Sequence, residues 1–77
     1  MVYVYSKDNC PACELVKNKL ESRGLRRGID WDEKNINVNP SYMDEVLSLG
    51  QRSFPVVAKN EEVLFAGFRP DIIEQVL

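Results

Sequence analysis

Cys10 and Cys13 are the only cysteines among 77 residues, with Pro11 and Ala12 between them. Two thiols at that spacing can open and close one disulfide, which points to redox chemistry. Pro11 suits the first position of a helix, because its ring holds a helical φ and its missing N–H has no partner to lose there. Cys10 is then the cap residue, its sulfur facing unpaired backbone N–H groups at the positive end of the helix dipole. That setting favours the thiolate. Lowering a thiol pKa from about 8.5 to about 7 raises its ionised fraction at neutral pH from a few per cent to roughly half. Cys13, one turn further in, is placed to attack a mixed disulfide formed on Cys10.

Two other readings of the pair are open. A purely structural bridge over so short a loop contributes only about 2 kcal/mol in the chain-entropy picture, and a reducing compartment removes even that. Half of a zinc or iron–sulfur site is the second rival. With no histidine and no further cysteine, one chain cannot supply four soft ligands, so no metal site is expected without a second chain or outside thiols.

The elements that must position the pair follow from the rest of the chain. With 44% hydrophobic and 29% charged residues, the composition is that of a small globular protein, read as a single domain over residues 1–77. A net charge of −2 argues against a general nucleic-acid binder. No apolar run reaches membrane-spanning length and no signal-peptide pattern opens the sequence, so a cytoplasmic protein is expected.

Val2 to Tyr5 predicts a short strand buried on both faces. Pro11 to Arg23 predicts a helix with Cys13, Val16 and Leu20 inward, Lys17 and Glu21 as an exposed pair, and Gly24 as its stop. Lys17, Lys19, Arg23, Arg26 and Arg27 form a basic cluster around its end, suited to the helix dipole or to an acidic partner. Trp31 to Ile36 reads as a second strand, with Trp31 in the core. Asn39-Pro40 opens a second helix with Met43, Val46 and Leu47 as its apolar face, closed by Gly50. Pro55 to Ala58 and Val63 to Phe65 read as a hairpin turning at Asn60-Glu61. Gly67 breaks the strand, and Pro70-Asp71 open a last helix bearing Ile72, Ile73, Val76 and Leu77. The order is β-α-β-α-β-β-α, with the first two strands parallel neighbours.

Three blocks then carry a resemblance: Tyr5 to Cys13, Arg52-Ser53-Phe54-Pro55-Val56-Val57, and Ala66-Gly67-Phe68-Arg69-Pro70-Asp71. Together they resemble a minimal thioredoxin fold of glutaredoxin type, an α/β domain with a four-stranded mixed sheet and three helices on its faces. Within that group the chain is most similar to the NrdH-type redoxins, small electron donors to ribonucleotide reductase. The resemblance implies a thiol-disulfide oxidoreductase with Cys10 and Cys13 as its reactive pair. It also implies a cis Pro55 facing them, which leaves the Ser53–Phe54 backbone free to pair with an extended substrate segment. Lys7, Arg52 and Arg69 are the cations of these blocks, and Pro11 and Ala12 help set the potential. Gly67 and Phe68 stand beside Pro55. Asp71 is at the helix start where glutaredoxins bind the γ-glutamyl carboxylate of glutathione.

The likeness also implies that no cofactor is bound, that electrons come from NADPH through thioredoxin reductase, and that the protein is a monomer acting on protein disulfides. Two departures keep glutathione open as the reductant. The Cys-Pro-Ala-Cys box is closer to glutathione-dependent glutaredoxins, and Phe65-Ala66 stands where NrdH-type sequences usually have Trp-Ser. Phe68-Arg69-Pro70, bulkier than the Gly-Gly turn of glutaredoxins, points the other way.

Overall fold

The computed structural model describes residues 1–77. Seven elements follow in the expected order: β1 Val2–Ser6, α1 Pro11–Ser22, β2 Trp31–Asn35, α2 Tyr42–Ser48, β3 Val56–Lys59, β4 Glu62–Ala66 and α3 Pro70–Val76. The sheet runs β2-β1-β3-β4, with β1 parallel to β2 and the other neighbours antiparallel.

Side chains alternate along β1, so the sheet has two different faces. Val2 and Val4 join Val16 and Leu20 of α1, Trp31, Val57, Phe65 and Ile73 of α3 in one core. Tyr5, Val56 and Ala58 pack with Val46 of α2 in a smaller one on the other face, flanked by Tyr3, Tyr42 and Phe54. Trp31 is nearly inaccessible, and its ring N–H donates to the Leu25 carbonyl at 3.3 Å. Truncating a buried side chain such as Leu20 is expected to cost about 2–5 kcal/mol. The β3–β4 register shifts between Val57 and Ala58 of β3, so Leu64 of β4 is an extra residue. That bulge lets Leu64 and Phe65, neighbours in sequence, both reach the larger core.

The ends of the elements show local chemistry at work. α1 stops at Gly24, where φ is +80. Gly24 N–H donates to the Glu21 carbonyl and Leu25 N–H to the Leu20 carbonyl, a two-bond closure that returns Leu25 to the core. The β3–β4 hairpin turns through Asn60 and Glu61, both at positive φ, as a two-residue turn of matching twist requires.

Several expectations need correction. α2 begins at Tyr42, not at Pro40. The Asn39 side chain accepts from the backbone and hydroxyl of Ser41 and caps a tight turn that precedes the helix. Leu47 and Val76 are exposed, and the half-buried Tyr42 and Leu49 fill the place expected of Leu47. β2 ends at Asn35, although Ile36 N–H still donates to the Ser6 carbonyl. β3 starts at Val56, because Pro55 has no N–H for the ladder. Lys17 does not pair with Glu21 but with Glu14 and Glu33. The basic cluster is dispersed in the same way: Lys19 pairs with Glu74 of α3, and Arg27 with Asp32 and Glu33.

Candidate active site

The register gathers the three sequence blocks at one end of the sheet. Tyr5 pairs with Val56 and Val56 with Ala66. The next residues along, Ser6, Pro55 and Gly67, are therefore also side by side. Gly67 N–H donates to the Pro55 carbonyl at 2.9 Å. From Ser6 the chain runs through Lys7, Asp8 and Asn9 to Cys10 at the start of α1.

Cys10 has extended backbone angles, φ −120 and ψ 95, and its sulfur accepts from the Cys13 N–H at 3.2 Å. It is therefore the helix cap, with Pro11 in the first helical position. Cys10 and Cys13 are joined in a disulfide. Cys13 is 0% exposed and Cys10 9%, so Cys10 is the more accessible of the two. Pro11 is exposed and Ala12 half-buried between them.

On the β3 side the Phe54–Pro55 peptide bond is cis. Pro55 is fully buried, Phe54 is half-buried against the α2-side core, and Arg52 and Ser53 are exposed. The Lys7 ammonium lies 6.0 Å from the centre of the Phe54 ring, which links the β1–α1 loop to this wall. Phe68 packs against the larger core. Arg69 points its guanidinium at Asp71, 3.4 Å away, and that contact chiefly holds the Asp71 carboxyl below its usual range. Both are exposed, and no hydrogen bond joins Arg52, Ser53, Arg69 or Asp71 to the sulfurs.

On the β2 side lie residues that the sequence pattern did not reveal. Asn35 donates to the Asp8 carboxylate at 3.1 Å, and Asp8 N–H donates to Asn37 Oδ1 at 2.7 Å, which ties down the loop that presents Cys10. Ser6, fully buried, donates to Glu33 Oε2 at 2.6 Å, and Lys17 donates to the same oxygen at 2.8 Å. Burial of Glu33 opposes its ionisation, but the hydrogen bonds from Lys17 and Ser6, with the charges of Lys17 and Arg27, outweigh it and lower its pKa. Burial likewise opposes charge on Lys17, and its bonds to Glu14 and Glu33 reverse that. Spacing along the chain could not signal the Glu33 contacts, since Glu33 is 16 positions from Lys17 and 27 from Ser6, whereas Glu14 is at helical spacing from Lys17.

A larger hollow of about 680 Å3 opens elsewhere, beside Met1, Tyr3, Lys34 and Glu45, and does not touch the dithiol. No three Cys, Asp, Glu or His side chains converge as metal ligands. No helix is long and apolar enough to cross a membrane. What the arrangement offers is a disulfide between a slightly exposed and a fully buried cysteine, set at a helix start beside a cis-proline wall.

The glutaredoxin family model matches residues 2–64. The glutaredoxin-like protein NrdH of Lactococcus lactis subsp. lactis is 41% identical over 70 residues, 91% of this chain and 90% of that protein. NrdH of Salmonella typhimurium is 31% identical over 75 residues, 97% of this chain and 86% of its own. The solved NrdH-redoxin of Escherichia coli has a TM-score of 0.81 at 28% identity, covering 99% of this chain and 93% of that one. A family match over most of the length, joined to this geometry, places the chain in the glutaredoxin family, as a thiol-disulfide oxidoreductase of NrdH type.

Proposed function

We propose that the protein is a cytoplasmic electron donor that reduces protein disulfides, with ribonucleotide reductase as its substrate and thioredoxin reductase, fed by NADPH, as its source of electrons. The reduced Cys10 thiolate attacks one sulfur of the substrate disulfide, forming a mixed disulfide and releasing the other sulfur as a thiolate. The Cys13 thiolate then attacks the Cys10 sulfur, closing the Cys10–Cys13 disulfide and releasing the second substrate thiolate. Two electrons and two protons pass from the dithiol to the substrate. The Ser53–Phe54 backbone ahead of Pro55 holds the substrate segment, with Lys7, Arg52, Gly67, Phe68, Arg69 and Asp71 around it.

The likeness to the NrdH-redoxin of Escherichia coli carries the choice of reductant, since that structure is described as the basis of a thioredoxin-like activity profile. One feature favours a second reading: the Cys-Pro-Ala-Cys box, with Pro11 in the first helical position, suits a glutaredoxin recharged by glutathione. Oxidised protein incubated with a disulfide substrate and NADPH separates the two. One arm contains thioredoxin reductase, the other glutathione with glutathione reductase. NADPH consumption is expected in the first arm, and consumption confined to the second would overturn the assignment.

A further inference from the structure

The register that sets Pro55 on one side of the segment leading to Cys10 sets Asn35 on the other. There a cleft of about 570 Å3 opens beside Cys10, bordered by Lys7, Asp8, Glu14, Lys17 and Asn35. Lys17 sits in it between two carboxylates of unlike character. Glu33 is 9% exposed and is fixed by Ser6 and Arg27 as well as Lys17. Glu14 is 64% exposed and has Lys17 as its one ion-pair partner. An exposed partner of this kind contributes little and is readily exchanged. Glu33 is an anchor; Glu14 is replaceable.

The disulfide is neutral, whereas the reduced site carries a negative charge once Cys10 ionises. That new anion arises in the cleft that Lys17 lines. We propose that Lys17 stabilises the Cys10 thiolate directly and changes partners with the redox state. Glu33 holds it throughout, and the Cys10 thiolate replaces Glu14 as its second partner after reduction. Of the other charged groups at this end of the sheet, Asp8 and Arg69 have polar partners of their own, and Lys7 and Arg52 have no carboxylate partner. Asp8 accepts from Asn35, Lys7 lies over the Phe54 ring, and Arg69 pairs with Asp71 beyond the cis-proline wall, where Arg52 is exposed. The inference rests on Cys10 being the attacking sulfur.

The test is the pH dependence of iodoacetamide alkylation of the fully reduced chain, with the modified cysteine identified by mass spectrometry. Lys17→Met is expected to raise the midpoint for Cys10 by about half a pH unit or more, and Glu14→Gln, which removes the competing anion, to lower it. Lys17→Arg restores a midpoint close to that of the parent. In the double variant the effect of Glu14→Gln falls to less than about half its single-variant size, because it acts through Lys17. An unmoved midpoint in folded Lys17→Met overturns the inference. If that variant does not fold, an unmoved midpoint in Glu14→Gln, a change at an exposed side chain, does the same. Modification appearing first at Cys13 overturns the assignment of Cys10 as attacking sulfur, and this inference with it.

Discussion

Gly67 donates its backbone N–H to the Pro55 carbonyl at 2.9 Å, joining two of the three sequence blocks at the end of the sheet where the dithiol lies. The chain then leaves the ladder through a left-handed turn at Gly67, where φ is +77. An added Cβ there meets nothing within 4 Å, so any cost of a side chain is conformational and not steric. Gly67→Ala is expected to destabilise by about 1 kcal/mol and to lower Tm by about 4–8 °C. An unchanged Tm would show that the junction does not need this backbone.

On the proposed mechanism Cys10 is the thiol that a substrate reaches and Cys13 the resolving one, in keeping with a fully buried Cys13 and a slightly exposed Cys10. Cys13→Ser should accumulate a mixed disulfide on Cys10 and turn over protein disulfides about a hundredfold more slowly or less. Non-reducing electrophoresis and turnover assays read this directly. Full activity in that variant would remove Cys13 from the reaction.

Glu33 links pH to stability. Its carboxyl titrates below its usual 4.5, so its contribution is complete above that value and is lost as pH falls through the folded-state pKa. Lys17 titrates above its usual 10.5, so its contribution is complete below that value and lost as pH rises through the folded-state pKa. Glu33→Gln is expected to cost about 1–3 kcal/mol at neutral pH and to flatten the stability curve below about pH 4.5. Urea unfolding at several pH values measures both. Parallel curves for variant and parent would refute the linkage.

The β3–β4 turn holds Glu61 at φ 64 beside Asn60 at φ 52. A side chain at that second position is strained in a left-handed conformation that glycine adopts freely. Glu61→Gly creates the favoured Asn-Gly turn and should stabilise by about 0.5–1 kcal/mol, after the extra entropy of the unfolded glycine is counted. A lower Tm would contradict the turn geometry.

Trp31, the only tryptophan, pairs with Val2 at the start of the parallel ladder, whereas Asn35 pairs with Ser6 at the end nearest the dithiol. Four residue steps of strand, about 13 Å, separate the two ends. Opening the disulfide should leave tryptophan emission nearly unchanged, while unfolding shifts it to the red. A large emission change on reduction would place the indole closer to the site than the register does.

These cases show what a sequence carries about itself. The cap at Cys10, the stop at Gly24 and the strand at Val2 are local, because the residue that needs a conformation also supplies it, as Asn60 does in the β3–β4 turn. They were legible. Pro55 as a cis residue came only through the resemblance, since an isolated Phe-Pro pair is usually trans. Lys17 was misread because helical spacing offers both Glu14 and Glu21, of which only Glu14 pairs with it, while its other partner Glu33 belongs to a strand that folding brings beneath α1. Leu47 was misread for a related reason. Leu49, two residues on, packs against the core in its place, and periodicity does not reveal which of the two the end of α2 turns inward.

β2 has a consequence of another kind. It is an outermost strand, and four of its five residues, Asp32, Glu33, Lys34 and Asn35, are polar or charged. An open strand edge invites a second strand to zip onto its free backbone groups, and charged side chains obstruct that pairing. The composition that made β2 hard to read as a strand therefore equips it as a rim against self-association, while the parallel pairing with β1 still holds it in place.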